Sequence, residues 1–233
     1  MQPAHKTPHS VATAFLTAPV RLQTYKNLAY LALQFPLGVA YFSLLIPALT
    51  VGAGSLPLLV LFGLPVIGAL LLGVATMTVD RAVTGLLLPV ELDRHTATAS
   101  IDDGAVTYAK DLLLDPGTYL SVGFVLAKFV VGVSTFVVLT VTGSLVAVAI
   151  AAPFLYTSPM GNYTFPLPSW LGGGTAVVDT LPEALSLAVV GVVGLFVVVN
   201  LWNALAWLLG NATAIACRRA RVLGSAPTVS NQA

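Results

Sequence analysis

Four stretches of this sequence are long and apolar enough to cross a bilayer: about 28–51, 56–79, 119–151 and 181–209. A hydrocarbon layer of about 30 Å needs roughly 20 apolar residues in a helix. The stretches are continuous rather than alternating, which is the pattern of helices and not of a barrel. Only 8% of the 233 residues are charged, 57% are hydrophobic, and the mean hydropathy is +0.93. A soluble domain carries about 25% charge. The reading is an all-α membrane protein with four transmembrane helices. A net charge of +1 gives no case for a nucleic-acid partner.

Charge predicts the orientation. With four spans, the N-terminal segment, the middle segment 80–118 and the C-terminal tail share one side. Every Lys and Arg except Lys128 falls in those segments, while 52–55 and 152–180 hold none. The positive-inside rule then predicts a cell-membrane protein with both termini cytoplasmic. The first residues lack the charge order of a signal peptide, so the N-terminus is expected to be retained. Residues 1–23 read as a partly disordered cytoplasmic segment, 24–215 as the membrane domain, and 216–233 as a basic and then disordered tail.

Within the membrane domain one phrase occurs twice. Residues 24–42 read TYKNLAYLALQFPLGVAYF and residues 118–136 read TYLSVGFVLAKFVVGVSTF. Both begin Thr-Tyr, both set a polar residue (Gln34, Lys128) before Phe, and both continue F-x-x-G-V-x-x-F. A duplicated two-span unit explains this: repeat 1 over about 24–92 and repeat 2 over about 118–212. The short turn at 51–55 makes the first pair a hairpin. The two hairpins are expected in tandem and in the same sense, with interfacial helices from segment 80–118 on the cytoplasmic side. Gly38 and Gly132 match and would allow close backbone approach. Phe35 and Phe42, like Phe129 and Phe136, are seven apart and share a helical face.

The polar residues inside the spans are few. Lys128 is expected to snorkel to the headgroups, with Gln34 interfacial at the matching place. Acidic partners are confined to Asp80 and Glu183 at span ends, which argues against ion-coupled transport. Asn200 and Asn203 share a face of the fourth helix and are expected to bond across the bundle or to line a small polar pocket. Trp202 and Trp207 read as interfacial anchors. Pro47 and Pro65 are expected to kink their helices, either as hinges or as fixed packing devices. The single cysteine, Cys217, reads as a small residue at a helix end. His5, His9 and His95 have no metal-ligand spacing, and Asp102-Asp103-Gly104 reads as a turn or helix start.

The loop after the third span carries Phe154, Tyr156, Tyr163, Phe165 and Trp170, an aromatic surface suited to sensing an apolar ligand or lipid packing. Asn162 heads a glycosylation sequon there. No Walker loop, G-x-S-x-G or H-E-x-x-H occurs. The expectation is no enzyme, no metal and no cofactor.

Several residues together resemble a known family. They are F-P-L-G-V-A-Y-F over 35–42, Gly63-Leu64-Pro65, Asp80-Arg81, D-P-x-x-Y over 115–119, and Ala-Pro-Phe-Leu-Tyr over 152–156. They resemble the Putative sensor domain, a membrane domain fused to actinobacterial histidine kinases and also found as stand-alone haloarchaeal proteins. The resemblance covers about 24–215 and implies a signalling-input role. The sequence stops at Ala233 without a kinase domain. A non-catalytic sensor would therefore act through a separate histidine kinase or regulator, with membrane lipids around it and a homo-oligomer allowed. A small transporter or channel subunit and a membrane scaffold or assembly factor are the alternatives.

Overall fold

A computed structural model describes residues 13, 15–54, 59–92, 104–157, 163–166 and 173–221. The termini expected to be disordered lie largely outside them. A 3-10 turn, Ala18–Val20, precedes α1 (Leu22–Gly54) and α2 (Leu59–Leu87). Then come α3 (Ala105–Leu114), α4 (Pro116–Leu155), strands β1 (Tyr163–Pro166) and β2 (Thr175–Val178), and α5 (Leu181–Arg219). Among the described residues four helices are long and apolar enough to span a membrane, over Leu22–Val51, Pro65–Leu87, Pro116–Leu155 and Leu181–Arg219. At 1.5 Å per residue, the 40 residues of α4 reach about 60 Å, twice the hydrocarbon layer.

The helix starts have local causes. Gly104 sits at φ +97° before α3, a backbone region favouring glycine. Asp115 ends α3 and caps α4: its carboxylate accepts from Gly117 N–H at 2.8 Å, and Pro116 takes the first helical position. Glu183 reaches back to the N–H groups of Asp179 (3.1 Å) and Thr180 (3.2 Å) at the start of α5. Pro36 and Pro47 lie inside α1 and Pro65 inside α2, and each helix continues through them.

The chain divides into two compact units. One holds residues 1–24 and 138–202. In it α4 and α5 run antiparallel: Trp202 Nε1 donates to Thr142 Oγ1 (3.0 Å), Gly194 faces Val146, and Gly191 faces Ala149 and Ile150. β1 and β2 pair antiparallel, Tyr163 with Val178 through Pro166 with Thr175. Val178 packs with Ala152 and Ala184.

The other unit holds residues 25–137 and 203–233. Its core clusters are Tyr41, Leu45 and Val125; Leu70, Val74 and Leu112; and Met77, Cys217 and Ala220. The two copies of the repeated phrase meet here in opposite senses. Gly132 lies against the Gln34–Phe35 backbone, Gly38 against Lys128–Phe129, and Tyr41 and Leu45 pack with Val125. By contrast α2 and α4 advance together, Gly73 meeting Val122 and Asp80 meeting Lys128.

The connection explains how. Beyond α2 the chain doubles back beside it. Arg81 donates to the Leu92 carbonyl (2.6 Å), and Leu112 of α3 packs with Leu70 and Val74. The expected same-sense arrangement of the repeats is therefore corrected for this part of the chain. A repeat determines what face each copy presents, whereas the connecting segment sets its sense. The start of α1 joins α5 through Asn27–Asn203, and the end of α5 joins the start of α4 through Arg221 N–H to Gly117 O (3.0 Å). Within this unit those two ends lie apart, where the charge pattern predicted one face for both.

Candidate functional site

The second unit is built around a buried charged centre. α4 carries Lys128 and α2 carries Asp80, 5% and 1% exposed. Lys128 Nζ lies 2.9 Å from Asp80 Oδ1 and donates to Gln34 Oε1 of α1 at 2.7 Å. The rings of Tyr30 and Phe124 stand 5.6 and 5.5 Å from the ammonium. Thr213 of α5 lies beside the Asp80 carboxylate. Each helix supplies its groups at whole-turn spacings: Tyr30, Gln34 and Tyr41 on α1, Asp80 and Thr84 on α2, Phe124 and Lys128 on α4.

A charge so buried is tolerated because an opposite charge, a carbonyl oxygen and two ring faces replace its water. Removing one partner of such a pair costs about 3–5 kcal/mol. Around the centre, Tyr30 Oη, Tyr41 Oη, Gln34 Nε2 and Thr84 Oγ1 are buried without a hydrogen-bond partner among the described residues. These groups give the centre unused hydrogen-bonding capacity, and unpaired buried polar groups raise the energy of the packing they sit in.

The sequence predicted Lys128 and Gln34 as polar contacts, but with Lys128 snorkelling outward. The structure turns Lys128 inward onto Gln34, because Asp80 is buried on the neighbouring helix rather than held at a span end. Asp80 is the residue that sequence reasoning missed as a partner. The signal was its place inside an apolar run, one helical turn before Thr84.

A second charged cluster was also missed. Arg221 Nη1 bonds Asp111 (2.7 Å) and Asp115 (3.3 Å), and its guanidinium lies 5.2 Å from the Tyr108 ring. Ser121 Oγ donates to the Arg221 carbonyl at 2.8 Å. This clasp fixes the end of α5 to the corner between α3 and α4. Its sequence signal is Asp111 and Asp115 one turn apart.

Asn203 accepts from Asn27 Nδ2 at 2.9 Å, whereas Asn200 bonds main-chain oxygens of Phe196 (2.8 Å) and Phe15 (3.2 Å). The two asparagines do not form one polar pocket. Trp202 holds Thr142 rather than standing free, while Trp207 is exposed. Cys217 is buried against Met77 and Ala220.

In the aromatic loop, Phe154 is 84% exposed and Tyr156 packs against Ala152, Val178 and Ala184. Tyr163 and Phe165 lie on β1. Trp170, Asn162, His5, His9 and His95 lie outside the described residues.

A family model described as Putative sensor matches residues 30–215. The chain belongs to the Putative sensor family. The match takes in the second copy of the repeated phrase, residues 30–42 of the first, all three residues of the charged centre, and Asn203 but not its partner Asn27. No curated protein and no solved structure matches the chain. The family and the four span-forming helices together fit a membrane sensor module.

Proposed function

We propose that this Putative sensor protein is a non-catalytic signalling input that works through a separate protein, and that the Lys128–Asp80–Gln34 centre sets its resting packing. The observation that carries the reading is that one ammonium ties three helices at once. Ionisable groups within a membrane domain are costly and tend to be functional. A pair that contributes little net stability but is expensive to break suits an element with two alternative packings. A stimulus biases such an element only by favouring one packing over the other. The exchanged contacts of the two phrase copies also support reading them as an internal duplication.

The output is assigned to the Arg221 clasp, because it ends the helix that carries Thr213 and leads directly into the tail. The test is a crosslinking pull-down of the tagged full chain from its native membrane, with and without osmotic stress. A kinase or regulator recovered in a stress-dependent manner is expected. One fixed partner under every condition would replace the sensor with a scaffold.

A small transporter is the second reading, and one observation favours it. The sequence argument against ion coupling rested on the lack of a carboxylate within the spans, yet Asp80 is buried inside one. Proton flux into proteoliposomes that Asp80→Asn abolishes would support it.

A further inference from the structure

Beside the charged centre, α4 and α5 leave an apolar groove of about 800 Å³. Leu120, Gly123 and Phe124 form one wall, and Ala212, Ile215 and Ala216 the other. Ligand sites fall in the range of about 300–1,000 Å³. Arg219 stands on the lining, at the last residue of the α5 candidate span. It is exposed and has no ion-pair partner among the described residues, since Asp111 and Asp115 are taken by Arg221. The groove is therefore greasy along its length with one uncompensated cation at its end.

We propose that this groove binds an anionic phospholipid. An acyl chain lies along the Gly123–Ala216 trough and the phosphate sits on Arg219. The charge argument selects this occupant. Arg219 closes the groove at the C-terminal end of the apolar α5 helix, and an exposed basic group beside a membrane-spanning segment attracts acidic lipid. Gly123 leaves the trough open, because a Cβ built on it would meet nothing within 4 Å. Phe124 belongs to the groove wall and also faces the Lys128 ammonium at 5.5 Å. An occupied groove thus presses on the charged centre. That last link rests on the function proposed above, whereas the lipid site itself does not.

The experiment is native mass spectrometry of the full chain released from nanodiscs of equimolar phosphatidylcholine and phosphatidylglycerol. The wild type is expected to retain phosphatidylglycerol in preference to phosphatidylcholine by about five-fold. Arg219→Gln should remove that preference while leaving phosphatidylcholine retention intact. Gly123→Phe should lower retention of both lipids, and Gly68→Phe, at a position equally open on α2, should lower neither. Equal retention of the two lipids by the wild type would overturn the site, as would an unchanged preference in Arg219→Gln. A lipid-free dimer that Gly123→Phe dissociates would give the groove to a second copy and overturn it too. Partner recovery is not part of this readout, so failure of the lipid site and failure of the sensor reading are seen separately.

Discussion

Gln34 and Lys128 hold the same place in the two copies of the repeated phrase, and they are bonded to each other across 2.7 Å. Equivalent positions of two related helices meet only where an axis of approximate two-fold symmetry passes between them. The aromatic pairs obey the same symmetry by exchange. Phe35 stacks on Phe136 at 4.5 Å, and Phe42 stacks on Phe129 at 4.3 Å. Departure from symmetry lies in the polar residue itself: a neutral amide in one copy and an ammonium in the other. Asp80 answers the ammonium.

This makes a double-mutant cycle informative. Lys128→Met leaves a buried carboxylate, and Asp80→Asn leaves a buried ammonium. Each single change is expected to lower stability in mild detergent by about 3–5 kcal/mol, and the double change by much less than their sum. Reversible unfolding in graded denaturing detergent measures it. Near-zero effects for both single variants would return Lys128 to the headgroups.

Close approach at the two glycines is equally testable. A Cβ on Gly132 would run into the Gln34 carbonyl and the Phe35 backbone, and one on Gly38 would sit 2.9 Å from the Lys128 carbonyl. Main chain cannot swing aside as a side chain does. Gly132→Ala should therefore destabilise by about 1–3 kcal/mol, against no measurable change for Gly68→Ala, where a Cβ meets nothing. Thermal midpoints of the purified variants check both.

The Arg221 clasp predicts a local effect. Arg221→Gln removes a charge-assisted contact worth about 1.5–3 kcal/mol and leaves Asp111 and Asp115 without it. Faster trypsin cleavage after Arg218 and Arg219 is expected, with the midpoint of global unfolding little moved. An unchanged cleavage rate would show that the end of α5 is held by other contacts.

Orientation separates the contacts from the charge count. α1 begins beside Asn203, whereas the end of α5 is held beside Gly117 and Ser121. Single cysteines replacing Lys26 and Arg219 are therefore expected to react with a membrane-impermeant thiol reagent from opposite faces of sealed vesicles. Labelling of both from one face would restore the arrangement read from the positive-inside rule.

The spans, the repeated phrase and the matching places of Gln34 and Lys128 within it were legible because apolar length and residue matching are local properties, whereas the bond between those two residues was not. The sense of the repeats was not. It depends on the segment between α2 and α4, where Leu92 and Leu112 fold back onto α2. Asp80 and Arg221 were misread for a related reason. A charge near the end of an apolar run looks interfacial until a second helix covers it, and the covering groups, Thr213 for Asp80 and Asp111 for Arg221, are remote in sequence. The strands of the aromatic loop were missed because four-residue segments carry too little pattern to stand out beside Pro and Gly.

Breaking the charged centre is expected to change how α1 and α4 pack. Spin labels at Val39 and Val130, both exposed on those helices, report their separation by pulsed dipolar spectroscopy. In bilayers of two thicknesses the wild type is predicted to show two distances whose populations change with thickness, and Lys128→Met to show one distance in both. A single distance, unchanged by thickness and by Lys128→Met, would contradict the account.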